Sequence, residues 1–325
     1  MEEQLFENRT DLDKLATSAE AIRAEVSKLV VGQDRMVNLL ITAILCDGHV
    51  LIEGVPGVAK TLTAKALSKT ISAGFSRIQF TPDLMPSDVL GTSVFNMKTT
   101  DFDFKKGPIF SNIILIDEIN RAPAKTQSSL FEVMEERQVT IDGQTYLMGK
   151  PFMVLATQNP VEQEGTYRLP EAQLDRFLFK IDVTYPSRKE EVQMLYNHHK
   201  RKGAPDLSVI NAVLDPEKIE NFRAIVQNIH VEDKIIDYIA AIVEQTRNDR
   251  SVFLGASPRA AVALLSASKA YAALSARDFV TPEDIKELAP AIFRHRIILT
   301  PEKEMEGVPT DEVITNLINA IEVPR

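Results

Sequence analysis

The sequence contains one cysteine, Cys46, so a single chain can form neither a disulfide nor a cysteine-rich zinc cluster. No apolar run approaches the roughly 20 residues of a membrane-spanning helix, so membrane insertion is not expected. Met1-Glu2-Glu3-Gln4 has neither the basic nor the apolar region of a secretory signal, and a cytoplasmic location is the expectation. Basic charge is also in deficit. Lys and Arg number 37 against 46 Asp and Glu, leaving a net charge of −9, which argues against nucleic acid or an anionic membrane as main partner. The Asn-Lys-x-Asp pattern that reads guanine is absent, which removes signalling GTPases. What remains is an acidic chain of 325 residues, 44% hydrophobic, long enough for two globular domains and free of repeats or low-complexity tracts.

The chain is organised around residues 49–67, which read as strand, loop and helix. Val50, Leu51 and Ile52 form a short apolar run suited to a buried parallel strand. Then come Gly54, Val55, Pro56, Gly57, Val58, Ala59, Lys60 and Thr61, and from Leu62 the residues are good helix formers. This is the phosphate-loop pattern with Ala59 in place of the last glycine. Backbone N–H groups of such a loop converge on phosphate oxygens, and the following helix turns its positive end to the same anion. Lys60 would neutralise the β- and γ-phosphates of ATP, and Thr61 would place a hydroxyl on Mg²⁺. The methyl group of Ala59 is tolerable if that residue already adopts helical φ/ψ, which is the expectation. A Gly/Pro turn followed by a chance lysine is the competing reading; the strand before and helix after weigh against it.

Upstream, Leu12, Leu15, Ala19, Ile22, Val26 and Leu29 make one apolar helical stripe, as of a helix docked on its own domain. Gly32 and Gln33 then interrupt the helical pattern, and a glycine turn here can lie over the nucleotide base. Downstream, strands are expected at 75–80, 112–116, 152–157 and 177–183, with helices at 82–90, 125–136 and 171–176. Alternating segments about 92–106 and about 138–148, the second turning on Asp142-Gly143, predict two hairpins. Beyond Pro186 the segments 187–202, 216–228, 232–248, 258–274 and 282–293 all read as helices, with 252–254 ambiguous. The chain therefore divides into an α/β core, 1–190, and an all-α lid, 191–325.

Asp117 and Glu118 close the apolar run 113–116, some sixty residues past the phosphate loop. Asp117 would hold Mg²⁺ and Glu118 would act as general base on the attacking water; two acids are needed because one is committed to the metal. In isolation, such a pair could simply cap the next helix.

Together with the phosphate loop, the stretches Asp117-Glu118-Ile119-Asn120-Arg121-Ala122-Pro123, Ala156-Thr157-Gln158-Asn159-Pro160 and Leu174-Asp175-Arg176-Phe177 resemble the MoxR family of AAA+ ATPases. Alanine at position 59 is a habit of that family; Arg168 is a departure from it. The resemblance implies a five-stranded parallel sheet flanked by helices, two β-hairpin inserts aimed at a ring's pore, and the helical lid. It implies that Asn159 fixes the attacking water and that Arg176 is an arginine finger acting on a neighbouring subunit. Arg259, in the first turn of a lid helix, would be a second phosphate sensor; its charge opposes the helix dipole there, so local stability does not explain it. Arg176 precedes a fifth strand expected to lie remote from the chain's own phosphate loop. The assembly implied is a ring, six-membered by resemblance alone, that remodels or matures protein clients in a chaperone-like way, with von Willebrand-A-domain proteins among them. The alternatives are the ATPase motor of a metal-chelatase complex and, less well supported, a DNA motor. Lys98, Lys105 and Lys106 are offset by Asp101 and Asp103, and Arg137 by Asp142, whereas a pore gripping DNA should be plainly basic. His198-His199 and Arg294-His295-Arg296 lack metal-ligand spacing with a third partner and read as solvated or core-satisfied.

Overall fold

The computed structural model describes residues 2–55, 57–159, 166–201 and 206–324. Pro56 of the phosphate loop, Pro160 and Gly165 lie outside the described residues.

The apolar stripe of α1 (Glu2–Ser27) is buried through Leu12, Leu15, Ala19, Ile22 and Val26. α2 (Asp34–Leu45) is apolar nearly all round and leads into β1 (His49–Gly54). After the loop come α3 (Lys60–Thr70), β2 (Phe75–Gln79) and the short α4 (Pro86–Leu90). The first hairpin pairs β3 (Gly91–Asn96) with β4 (Asp101–Lys106). β5 (Ile113–Asp117) and α5 (Ala124–Glu136) precede the second hairpin, β6 (Gln138–Ile141) with β7 (Gln144–Leu147). β8 (Met153–Gln158), α6 (Glu171–Leu174) and β9 (Phe177–Val183) complete the core.

The five long strands form one parallel sheet in the order β2-β5-β8-β1-β9. Its strands are apolar on both faces because both are covered. Val50, Ile52, Ile113, Leu115 and Leu155 face α1, α2 and α3, while Leu51, Ile114, Ile116, Val154 and Ala156 face α5. One expectation is corrected here: β9 is not remote from the phosphate loop. It pairs directly with β1, the strand that carries the loop.

Beyond β9 come α7 (Arg188–Arg201), α8 (Pro216–Gln227), α9 (Asp233–Asn248), β10 (Val252–Leu254), α10 (Pro258–Ala273), α11 (Pro282–Phe293), β11 (Ile298–Leu299), α12 (Pro301–Met305) and α13 (Thr310–Asn319). The all-α expectation needs amending, since β10 and β11 pair antiparallel. A two-residue strand has no periodicity to read, so it could not be seen from sequence. The lid core continues without a break into the α1–α2–α3 face of the sheet. Lid helices therefore pack on the core rather than hanging from it.

Candidate active site

The phosphate loop leaves β1 at Gly54, opposite Val183 of β9. Gly57 has φ +90° with open space where a Cβ would point, so conformation rather than crowding requires glycine there. Val58 is buried, and Val55 and Leu62 pack partly into the same core, so these side chains anchor the loop and leave its backbone for phosphate. Ala59 is not helical. It sits at φ 60°, ψ 20°, in the left-handed region, capping α3 while its carbonyl accepts from Thr63 N at 2.8 Å. An L-residue there costs about 1–2 kcal/mol, so the loop stores local strain at this point. Lys60 opens α3, and its Nζ donates to the carbonyls of Gly54 and, at 3.4 Å, Gln158. The ammonium thus lies between the ends of β1 and β8.

The acids stand at the end of the neighbouring strand. Asp117 is buried, with Oδ1 accepting from Thr61 Oγ1 at 3.3 Å and from Thr157 Oγ1 at 3.2 Å. Its other oxygen takes a 2.6 Å ion pair from Arg77 of β2. The Thr61 hydroxyl and the Asp117 carboxylate are hard oxygen donors side by side. That donor chemistry suits Mg²⁺, which binds oxygen ligands and keeps several waters when bound to proteins. Glu118 is also in the left-handed region, at φ 59°, with its N–H donated to Thr157 Oγ1 at 3.1 Å. Its carboxylate accepts from Gln79 Nε2 at 2.8 Å and pairs with Arg121 at 3.2 Å. Two residues off the common regions of backbone space in one site, Ala59 and Glu118, fit the tendency of strain to collect where function is. Asn159 follows β8 directly and is nearly buried.

Lys60, Thr61, Asp117, Glu118 and Asn159 are thus gathered at the carboxyl ends of β1, β5 and β8, where open parallel sheets bind ligands. Gly32 and Gln33 lie near this end as well. With Ile181, Asp182, Val183, Glu190 and Arg294 they line a cavity of about 470 Å³ beside the end of β9. Arg77, Gln79 and Thr157 hold the acids but were not read from sequence. Arg77 and Gln79 point to one side of β2 by strand alternation, yet nothing local says that β5 lies beside them.

Arg176 and Arg259 are elsewhere. In the β1–β9 register, His49 is opposite Phe177 and Gly54 opposite Val183. The start of β9 is therefore about 17 Å, five residues of strand, from the phosphate-loop end. Arg176 donates to the Phe131 carbonyl, and its Nε lies 3.1 Å from Glu135 Oε2. Arg259, in the first turn of α10, pairs with the other oxygen of the same carboxylate at 2.6 Å. One acid at the end of α5 thus carries both cations, and this partner offsets the unfavourable helix-end charge of Arg259. The pair borders a cavity of about 300 Å³ with Arg137, Asp175 and Arg296. On the same cavity wall, burial pushes the Cys46 thiol up to about 12, which keeps it protonated and unreactive. Arg168 lies exposed, 4.0 Å from Glu171.

The two hairpins lean on one another. Ser93 donates to Asp142, and Phe104 and Tyr146 stack with centroids 4.5 Å apart. The same face of the first hairpin carries Phe95 and Phe102 further out, in contact at 5.3 Å and both exposed, with Met97 beyond them. His198 and His199 are exposed on α7, whereas His295 is buried.

Comparison with known proteins follows the same outline. Residues 49–179 match the ATPase family associated with various cellular activities (AAA), and residues 244–317 match the AAA lid domain. The uncharacterized protein YeaC of Bacillus subtilis is 48% identical, with 92% of each chain covered. Chaperone MoxR1 of Mycobacterium tuberculosis is 42% identical over 93% of this chain and 81% of its own. A crystal structure of an ATPase candidate from Cytophaga hutchinsonii is 42% identical, with a TM-score of 0.90 and 99% of each chain covered.

Proposed function

Because the chain belongs to the MoxR family of AAA+ ATPases, and is thus an ATP-hydrolysing enzyme, we propose that it couples hydrolysis in a ring of identical subunits to the remodelling of protein clients. The observation that carries this reading is the convergence of Lys60, Thr61, Asp117 and Glu118 at the carboxyl ends of adjacent strands, with Arg176 and Arg259 paired at the opposite end of β9. In this reading the loop backbone from Gly54 to Thr61, Pro56 included, cradles the phosphates. Leu62 continues the loop into α3, and Gly32 and Gln33 border the base. Lys60 leaves the Gly54 and Gln158 carbonyls for the β- and γ-phosphates. Thr61 and Asp117 hold Mg²⁺, which when bound neutralises charge on the phosphate oxygens. Glu118 takes the proton of the attacking water once Gln79 and Arg121 release it, and Asn159 orients that water.

Arg176 cannot serve its own loop from the far end of β9. A guanidinium at that end becomes catalytic when a neighbour brings a γ-phosphate to it, which a head-to-tail ring does. Arg259 shares its carboxylate and acts on the same neighbouring phosphate. We place the division between core and lid at 190/191, in the first turn of α7. The protein-client reading draws support from the hairpins. Their charges nearly cancel, and their exposed Phe95, Phe102 and Met97 offer apolar contact to a polypeptide rather than cations to a phosphate backbone.

The test is Glu118→Gln. It should bind Mg²⁺·ATP, hydrolyse it very slowly, and retain a client protein in a pull-down that the unmodified chain releases. Equal loss of binding and hydrolysis would sink the division of labour between the two acids.

A further inference from the structure

The Arg294-His295-Arg296 segment, just past α11, runs alongside β9, which is an edge strand of the sheet. Arg296 is the deeper of the two arginines, with a side chain 2% exposed. Its Nε donates to Asp175 Oδ1 at 2.6 Å, and its two terminal nitrogens donate to four carbonyls. Those carbonyls are Asp175 at 3.1 Å, Phe177 at 2.7 Å, Leu178 at 3.1 Å and Ile292 at 2.7 Å. His295 adds a contact to the Phe177 carbonyl at 3.0 Å, and Ser257 donates to the second oxygen of Asp175 at 3.2 Å. Arg294 grips the other end of the same strand, pairing with Asp182 at 2.9 Å.

Burying a guanidinium this deeply has a high desolvation cost, and a well-packed apolar residue often serves stability as well or better. What the fork supplies is geometry: its donors fix one carboxylate and the carbonyls of Asp175, Phe177 and Leu178 on either side of Arg176. Fixing is needed there. α6 is a four-residue helix, too short to hold a position by itself. The residue that ends this turn region is Arg176, whose neighbour Asp175 is held by the lid and whose own side chain reaches α5.

We propose that Arg296 is a positioning residue for the Arg176–Arg259 pair, fixing Asp175 and the start of β9 so that both guanidiniums are presented as one rigid unit. The proposal rests on the reading that Arg176 completes the phosphate site of a neighbouring subunit. It predicts a defect confined to what a subunit donates, leaving intact what it binds.

The experiment uses the full chain under ring-forming conditions, with Arg296→Met as the principal variant. Its kcat should fall about 10²-fold, as for an ångström-scale misplacement of a catalytic group, with KM and the affinity for a fluorescent ATP analogue unchanged. Mixed with Glu118→Gln, it should regain activity, because its own loop and acids are intact and the partner supplies a well-placed Arg176. Mixed with Arg176→Ala, it should regain none, since both subunits donate a defective arginine. Arg296→Lys, which keeps the charge and loses the fork, should show the same pattern; full activity in either variant overturns the proposal. So does a failure of Arg296→Met to be rescued by Glu118→Gln under conditions where Arg176→Ala is rescued, because the damage would then lie in the variant's own site. If Arg176→Ala is itself not rescued by Glu118→Gln, the trans reading falls, which is a separate result. Should Arg296→Met not fold, Asp175→Asn runs through the same mixtures and must give the donor-side pattern, or the proposal is wrong.

Discussion

The two charged regions of this chain are built in contrasting ways. The phosphate-loop region sets two acids and a threonine hydroxyl against Lys60, Arg77 and Arg121, sits on the ends of central strands, and draws its proposed reacting residues from runs that are short in sequence. The arginine region joins the end of α5, the start of β9, the first turn of α10 and the segment after α11. The first is positioned largely by backbone: a loop leaving β1, a residue at the end of β5, a residue after β8. The second is positioned by side chains holding other side chains, with Glu135 carrying two arginines and Arg296 carrying Asp175. A site made of backbone tolerates substitution of its surroundings better than one made of a relay of ion pairs. The difference also suits the proposed roles, since the loop must hold nucleotide in every subunit state and the arginines must arrive only when a neighbour does.

Substitution can sharpen that contrast most where the effects are largest. Arg176→Ala should bind ATP normally and lose about 10³–10⁵ in turnover, the worth of an arginine finger, whereas Lys60→Ala should lose nucleotide binding itself. Nucleotide titration beside steady-state turnover separates the two, and equal loss of affinity in both variants would erase the distinction between a binding region and a donated one.

A smaller effect comes from two buried histidines, His49 and His295, both beside the start of β9. His49 receives the N–H of Val154 on Nδ1 at 2.9 Å, which leaves Nε2 to donate to the Met134 carbonyl at 3.1 Å. Burial, helped by the Arg137 charge, pushes its pKa down to about 3. His295 is likewise pushed well below the usual histidine range by burial and by Arg296. For a base whose folded pKa is depressed, the unfolded chain binds more protons, so stability is full above the unfolded value of about 6.5 and declines as pH falls toward the folded one. Each histidine should contribute a slope of up to about 1.4 kcal/mol per pH unit in that window. Selectively labelled histidine NMR should find both rings neutral at pH 5; a midpoint near 6.5 for either would refute it.

The smallest effect should be Ala59→Gly. Glycine relieves the left-handed strain of about 1–2 kcal/mol but adds chain entropy to the unfolded state of about 0.4–1 kcal/mol. The net gain should lie between about 0 and 1.6 kcal/mol, visible as a slight rise in the urea midpoint of the nucleotide-free protein. A clear loss would mean that the left-handed conformation is not the one populated in solution.

The core elements were legible because each rests on local spacing. All five sheet strands and both hairpins fall within a residue or two of expectation, and Asp142-Gly143 turns the second hairpin with positive φ at both positions. α13 was missed although Val313, Ile314, Leu317 and Ile318 carry a helical spacing, and β10 with β11 was too short to read. Arg296 of Arg294-His295-Arg296 was passed over because its partner, Asp175, lies more than a hundred positions away and on a different element.

By itself the sequence determined the phosphate loop, the two acids, the alternation of strand and helix, and the change to helices after Pro186, since each is a pattern of neighbours along the chain. Only the tertiary structure decided that β9 lies against β1, that Arg176 stands at the end away from the loop, that Arg259 joins it on Glu135, and that Arg296 holds the strand between them. Those meetings depend on which side chains packing brings within about 3 Å of one another, and separation along a chain carries no record of that.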